Sequence, residues 1–321
     1  MGCLKALFVL LTGMVFALPL CAQNFPTKPV RLIIAFTPGS SIDIVGRVVA
    51  AKLSELWGQP VVPENRAGAG GSIGSKVAAD SAPDGYTLLA NSSAHVSNPA
   101  IFANLPYDTL KDFTNLAPMA GGPNVLFVGP GTGWKTFADF IAAAKQNPGK
   151  LNFSSAGMGS GTHYNLEKLK IATGIDVVHV PYKGTPEAIG DTIGGRVCCY
   201  WAPINAALPH IRGGRAVALA VSSAQRTSLL PDVPTVAESG VPGFDYLLWL
   251  ALWGPAGIPA EIATKINADV NRALNTAEVR GQLSNLGTLP MHMNLPQFSE
   301  FVRKELEDTQ KVLKAAGIKP Q

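Results

Sequence analysis

Charged residues are scarce in this sequence, and no cluster of basic residues stands out. Only 15% of the 321 residues are charged, and 26 lysine and arginine residues face 22 aspartate and glutamate residues. So small an excess argues against a protein that binds nucleic acid. Long apolar runs are missing as well after the N-terminal region: no later segment reaches about 18 consecutive apolar residues, the length of a membrane-spanning helix.

Motifs for metals and nucleotides are also missing. The five histidines are scattered, and no group of cysteine and histidine has the spacing of a zinc site. The glycine-rich pattern of a phosphate-binding P-loop does not occur. The sequence therefore predicts neither a metal nor a cofactor.

Cysteine is rare, with four residues, and two of them are adjacent. Cys3 and Cys21 lie in the N-terminal segment, which leaves Cys198 and Cys199. This pair lies in a strand-like run, in which neighbouring side chains point to opposite faces. The pattern favours two small, partly buried thiols, and a strained vicinal disulfide is the alternative.

Residues 1–22 have the features of a secretory signal peptide. Lys5 supplies a positive charge, and an apolar stretch follows it and ends at Pro19. This stretch is shorter than a membrane-spanning helix requires. We predict cleavage after Ala22 and export of the mature chain. An uncleaved anchor and a lipoprotein modified at Cys21 are the alternatives.

Glycine and proline are abundant, and apolar runs alternate with helical patterns. The chain has 33 glycines and 25 prolines, which indicates many short elements joined by turns. The predicted strands are residues 30–36, 86–90, 125–128, 177–180, 197–201, 216–221 and 249–253. Strands that alternate with helices predict an α/β fold with mostly parallel sheets, and the length favours two domains.

Two serine-rich loops follow predicted strands, where α/β sheets bind their ligands. Residues 37–43 read TPGSSID and residues 154–163 read SSAGMGSGTH, and a helical pattern follows each. Hydroxyls and helix N-termini bind anions, and neither loop contains lysine or arginine. We predict an anion held by amides, hydroxyls and water, whereas capped helix starts without a ligand are the alternative.

One string resembles an enzyme motif. Residues 70–74 match the G-x-S-x-G turn that presents the nucleophile of serine hydrolases, here Ser72. That turn must follow its strand tightly, and a flexible stretch intervenes here. A secreted serine hydrolase is therefore kept only as a minor alternative.

A series of short strings gives the chain a family resemblance. They include FPTKPV at residues 25–30, APDGYTL at 82–88, HVPYKG at 179–184, ALPHI at 207–211 and LPDVPT at 230–235. Each is weak alone, but in this order they resemble the solute-binding receptors of tripartite tricarboxylate transporters, also called Bug-type receptors. The resemblance covers nearly the whole chain after the signal peptide.

This resemblance implies a monomeric periplasmic binding protein of the type II, Venus-flytrap fold, and not an enzyme. Lobe 1 would comprise residues 23–126 and 248–321, and lobe 2 residues 127–247, with hinges near 125–129 and 244–249. The lobes would close on a small organic acid, a mono- or dicarboxylate, and deliver it to a membrane permease of one large and one small subunit. A sensor that docks to a signalling receptor is the alternative.

The resemblance also implies the binding residues, none of them catalytic. The first lobe would contribute Thr37, Gly39, Ser40, Ser41, Asp43, Ser92 and Ser93. The second lobe would contribute Ser155, Ala156, Gly157, Ser160, Thr162, His163, Gly184, Trp201 and Ala202. The chain departs from the family at Ile42, where small residues are common, and at Ala202, where some members carry an aspartate that could pair with an ammonium. A plain carboxylate is therefore expected rather than an amino acid.

Overall fold

Strands and helices alternate through the computed structural model, which describes residues 25–315, 317, 318 and 320. The strands are β1 (Val30–Ile34), β2 (Val61–Asn65), β3 (Thr87–Ser92), β4 (Phe113–Val128), β5 (Asn152–Ser155), β6 (Val178–Pro181), β7 (Cys199–Pro203), β8 (Val217–Val221), β9 (Leu247–Pro255) and β10 (Leu289–Pro290). The predicted signal peptide, with its cleavage site at Ala22, lies outside these residues.

The helices follow the strands in the predicted alternation. They are α1 (Ser41–Trp57), α2 (Ser72–Ala79), α3 (Ala94–Ile101), α4 (Phe137–Gln146), α5 (Gly161–Thr173), α6 (Thr185–Ile193), α7 (Ile204–Arg212), α8 (Ala260–Asn275), α9 (Ala277–Asn285) and α10 (Leu295–Ala315). Across the described part of the chain, no helix combines the length and apolar character that crossing a bilayer requires.

All seven predicted strands are present, and β4 differs most from its prediction. The apolar run at residues 125–128 is only the end of a strand of 16 residues. Pro118 and Pro123, with two glycines between them, disfavour a strand locally. The pairing of β4 with β9 overrides that preference, and its register shifts twice, between Asn115 and Ala117 and between Pro118 and Ala120.

The strands form two groups that share β4. In the first group the order is β2-β1-β3-β9-β4, and β10 pairs with β4. In the second group Asn124–Val128 of β4 pairs with β7, which continues through β5 to β6, while β8 also pairs with β4. The chain therefore changes pairing partners within one strand, between Pro123 and Asn124.

The sheets are mixed rather than mostly parallel. Strands β1 to β3 pair in parallel, and so do β5 to β7, as the alternation with helices predicts. Strands β4, β8 and β9 pair antiparallel with their neighbours. The reason is that β4 and β9 are long strands that join the two groups directly, without the helical crossover that makes neighbours parallel.

Helix α1 shows how the core fixes the start of the first serine-rich loop. Val45, Val49 and Leu53 recur at helical spacing and are buried against the sheet. Full burial of such side chains stabilises the fold by about 1.5–3 kcal/mol each. The buried stripe holds the N-terminus of α1 beyond the end of β1, where residues 37–40 connect the two.

Candidate functional site

A narrow cavity lies where several helices begin. Ser40 and Ser41 start α1, Ser160 and Gly161 start α5, and Thr185 starts α6. The cavity is small, with a volume of ≈ 20 Å³. Its lining residues are Phe36, Ser40, Ser41, Ile42, Ser92, Ala156, Ser160, Gly161, Thr162, Thr185, Pro203, Leu248 and Leu250. The two serine-rich loops therefore share one hollow.

The Ser40 hydroxyl is the polar group of this cavity that the protein leaves unsatisfied. Ser40 is 2% exposed, and its Oγ has no hydrogen-bond partner. It occupies the N-cap position of α1 without capping the helix through its side chain. A buried hydroxyl without a partner costs about 1–3 kcal/mol, which a bound acceptor or donor would recover.

The opposite wall is pre-organised by its own hydrogen bonds. Ser160 caps α5, because its Oγ accepts from the backbone N–H of His163 (3.2 Å) and lies 3.0 Å from Thr162 Oγ1. Thr162 Oγ1 in turn accepts from the Ala156 N–H (2.9 Å). These bonds hold the loop that leads from β5 into α5 in one conformation.

Among the residues that the structure describes, none with a charged side chain lines the cavity. Asp43 is buried, and its carboxylate accepts hydrogen bonds from the Gly39 N–H, Arg47 Nε and Asn65 Nδ2, each 2.9 Å long. Asp43 thus fixes the 37–43 loop and does not reach the cavity. The positive character of the site comes from the N-terminal ends of the helices, where backbone N–H groups lack intrahelical partners.

His163 and Ser155 belong to the second loop but are not among the residues that line the cavity. The His163 ring stacks on His179 at 4.0 Å, and its Nδ1 accepts from the Gly159 N–H. Ser155 Oγ lies 2.6 Å from His179 Nε2. Burial lowers the pKa of His163 to about 3 and that of His179 to about 4, so both rings are neutral at pH 7.

The loops of the two strand groups touch each other around the cavity. Thr37 Oγ1 donates to Glu187 Oε2 (3.3 Å), and Ser97 Oγ donates to the Gly159 carbonyl (3.0 Å). A Cβ placed on Gly184 would lie 1.9 Å from Thr37 Oγ1. Gly184 and Thr37 therefore meet face to face, and only a residue without a side chain fits at position 184.

Of the sixteen predicted binding residues, six line the cavity and the others lie around it. The six are Ser40, Ser41, Ser92, Ala156, Ser160 and Thr162. Ser93 lies 3.1 Å from the Tyr246 hydroxyl, and Gly157 packs near Tyr182 and Gly70.

Trp201 and Ala202 are fully buried and are not among the residues that line the cavity. Their strand is central, pairing with β4 on one side and β5 on the other.

Sequence reasoning missed the apolar part of the wall. Leu248 and Leu250 belong to β9 and reach the cavity because Ser92 pairs with Leu250 across antiparallel strands. Ile42, noted as a departure from the family, also lines it, and so do Phe36 and Pro203. Nothing local in the sequence indicates which strand lies beside β3, so Leu248 and Leu250 could not be found from it. The other missed lining residues are direct neighbours of predicted binding residues; they are Phe36, Ile42, Gly161, Thr185 and Pro203.

The hydrolase-like string does not form a nucleophile turn. Strand β2 ends at Asn65, residues 66–71 follow with a 3₁₀ helix at Ala69–Gly71, and Ser72 is the buried first residue of α2. The required turn joins strand and helix directly. In the described part of the chain, no three His, Cys, Asp or Glu side chains form a possible metal site.

Comparison with known proteins gives consistent matches over most of the chain. The family model for the tripartite tricarboxylate transporter family receptor matches residues 45–318. Protein BugT of Bordetella pertussis is 35% identical over 305 residues, which cover 94% of this chain and 94% of BugT.

Solved structures match equally well. R. palustris Rpa4515 with adipate has a TM-score of 0.89 and 34% identity, covering 92% of this chain and 100% of that one. MatC from Rhodopseudomonas palustris with bound malate has a TM-score of 0.85 and 32% identity, covering 90% and 100%. The predicted two-lobed periplasmic-binding-protein fold is confirmed by these likenesses.

Proposed function

This chain belongs to the tripartite tricarboxylate transporter receptor family, and we propose that it captures a small organic carboxylate between its two lobes and delivers it to a membrane permease. It is a solute-binding receptor and not an enzyme. The related structures with adipate and malate support a carboxylate as the ligand class.

One observation carries the proposal: hydroxyls from both serine-rich loops line one cavity that no charged side chain of the described residues lines. Ser40, Ser92, Ser160 and Thr162 offer hydroxyls, and α1, α5 and α6 direct their N-termini toward it. An anion is favoured there by the helix dipoles and by hydrogen bonds to neutral donors. The Ser40 hydroxyl gains its missing partner when the ligand enters.

Capture proceeds by closure of the cleft. Lobe 1 comprises residues 23–126 with 248–321, lobe 2 comprises residues 127–247, and the chain crosses between them in β4 and β9. A ligand that contacts both lobes shifts the protein toward the closed form, and the permease recognises that form. We expect a Kd of about 1 µM or tighter, equivalent to about −8 kcal/mol.

The site of action is the periplasm, reached through a signal peptide cleaved near Ala22, and the receptor acts as a monomer. The partner is a permease of one large and one small subunit. A chain that lacks residues 1–22 should accumulate in the cytoplasm, whereas the full chain should be recovered from the periplasm with Gln23 as its first residue. N-terminal sequencing of the secreted protein measures this directly.

The ligand is tested by thermal-shift screening of mono-, di- and tricarboxylates, followed by calorimetry. Ser40→Ala should weaken binding of the best acid by about 10- to 100-fold, because a hydrogen bond to a charged group is lost. The same substitution should not lower the stability of the free protein, since the hydroxyl has no partner there. Ser284→Ala, on the exposed surface of α9, is the control and should leave affinity unchanged. Failure of every carboxylate to bind would refute the proposal.

A further inference from the structure

The sulfur atoms of Cys198 and Cys199 lie closer together than those of adjacent cysteines in a regular strand, whose side chains point to opposite faces. Strand β7 begins at Cys199, and Cys198 lies in the bend that precedes it, so the predicted strand start at Val197 is two residues too early. Because Cys198 is outside the strand, the two side chains need not point to opposite faces. Their sulfur atoms are 2.7 Å apart, and both are free thiols.

The two thiols differ in their surroundings. Cys199 is fully buried, and burial raises the pKa of its thiol, with the neighbouring Cys198 adding to the shift. Cys198 is partly exposed, and its backbone N–H donates to the Asn152 carbonyl (2.9 Å). One thiol is therefore accessible to a reagent, while the other lies behind it within reach.

Cys198 opens onto a second cavity, separate from the carboxylate site. This cavity has a volume of ≈ 400 Å³ and is lined by residues 129, 131–132, 150–152 and 193–198. Lys150 and Arg196 line it, and Arg196 also pairs with Asp191. The cavity lies at the start of β7, whereas Pro203 at the end of that strand lines the carboxylate site, about 13 Å away at the rise of a β-strand.

We propose that Cys198 and Cys199 form an oxidisable dithiol that reacts with a small, anionic disulfide and closes into a vicinal disulfide. The Cys198 thiolate attacks one sulfur of the disulfide reagent and expels the other half as a thiol. The Cys199 sulfur then attacks Cys198 Sγ and passes its proton to the second half, which leaves as a thiol. Two protein thiols are oxidised, one disulfide reagent is reduced to two thiols, and the protons of the protein thiols end on them.

The ring formed by adjacent cysteines is strained. Neighbouring Cα atoms are about 3.8 Å apart, whereas ordinary disulfides join Cα atoms about 4.4–6.8 Å apart. Strained disulfides are reduced more readily than relaxed ones. The oxidised pair should therefore return to thiols in mild reductant, which makes the site reversible.

The experiment treats the folded protein with oxidised glutathione, alkylates it with iodoacetamide and digests it with trypsin. Cleavage after Arg196 and Arg212 releases residues 197–212, which contain both cysteines, and Cys3 and Cys21 do not interfere. We expect this peptide to be lighter than its dithiol form by two hydrogen atoms and to carry no alkyl group. After mild reduction of the oxidised protein, we expect both cysteines to be alkylated.

Two variants separate the roles of the thiols. Cys199→Ser should stop at a stable glutathione adduct on Cys198, and Cys198→Ser should not react in the folded state because its remaining thiol is buried. The proposal is overturned if the native pair stays fully alkylatable, if it retains a glutathione adduct, or if it forms disulfides between chains. Circular dichroism of each variant verifies its fold before the reaction is scored.

Discussion

Replacement of Gly184 by alanine tests whether the cleft closes as described. An added Cβ would lie 1.9 Å from Thr37 Oγ1 and 3.0 Å from Thr37 Cβ, against 3.4 Å for an ordinary contact. Rotation of the Thr37 side chain removes the clash with Oγ1 but breaks the hydrogen bond to Glu187. The clash with Thr37 Cβ remains, because rotation does not move that atom. The backbone φ of Gly184 is −172°, extended, so the alanine strains only its contacts with Thr37 and with Glu187 Oε2, the latter at 3.0 Å.

The expected effect is confined to the closed form. Overpacking costs about 1–3 kcal/mol, which corresponds to an affinity for the carboxylate about 5- to 150-fold weaker. Calorimetry measures the affinity, and thermal unfolding without ligand should change little, because an open cleft accommodates the methyl group. Gly190→Ala, on the same helix with open space around it, is the matched control.

A double-mutant cycle sharpens the test. Thr37→Gly removes two of the three atoms that the methyl group would meet and leaves Glu187 Oε2, at 3.0 Å, at the flexible end of its side chain. Gly184→Ala should therefore weaken binding much less in the Thr37→Gly background than in the native protein. If Gly184→Ala weakens binding equally in both backgrounds, or not at all, residues 37 and 184 do not meet in the ligand-bound receptor.

Two further predictions concern the second loop and acid stability. Ser160→Ala should lower affinity about 10-fold and the free energy of unfolding by about 1 kcal/mol, whereas Thr276→Ala, which removes the cap of α9 far from the cavity, should lower only the stability. His95 is fully buried among Phe113, Tyr107 and Trp253, and burial lowers its pKa from 6.5 to about 3. The unfolded state therefore binds a proton on His95 that the folded state does not bind. For this group the free energy of unfolding falls as the pH drops below 6.5, by up to about 1.4 kcal/mol per pH unit. His95→Phe should remove that contribution in urea unfolding at pH 5 and 7, and an unchanged pH dependence would contradict it.

Local patterns in the sequence predicted the elements and the polar half of the site. The strongest signals are the apolar runs at residues 30–36 and 249–253 and the apolar stripe of α1. In each, the apolar spacing in the sequence matches the burial of the side chains in the structure. Ser40 and Ser160 could be found because serine before a helical pattern has a physical role at a helix start. Both line the cavity.

The remaining features depend on contacts between distant residues. The length of β4 follows from its pairing with β9, more than 100 residues later, and no local signal overcomes Pro118 and Pro123. Leu248 and Leu250 reach the cavity because β9 also pairs with β3, which is likewise distant in the sequence. Trp201 and Ala202 do not line the cavity, and their part in binding stays a prediction, because the family resemblance locates a segment but not the direction in which its side chains point.

The position of β9 has a consequence for how the chain acquires its structure. In the first group of strands, β9 lies between β3 and β4, although it is made more than 100 residues after either of them. Until residues 247–255 have been synthesised, β3 and β4 each have an unpaired edge, because β9, the strand that pairs with both edges, is missing. Assembly of this sheet thus depends on long-range contacts, which slow folding, and a nascent chain lacks the strand that lies between β3 and β4 until residue 255 has been synthesised.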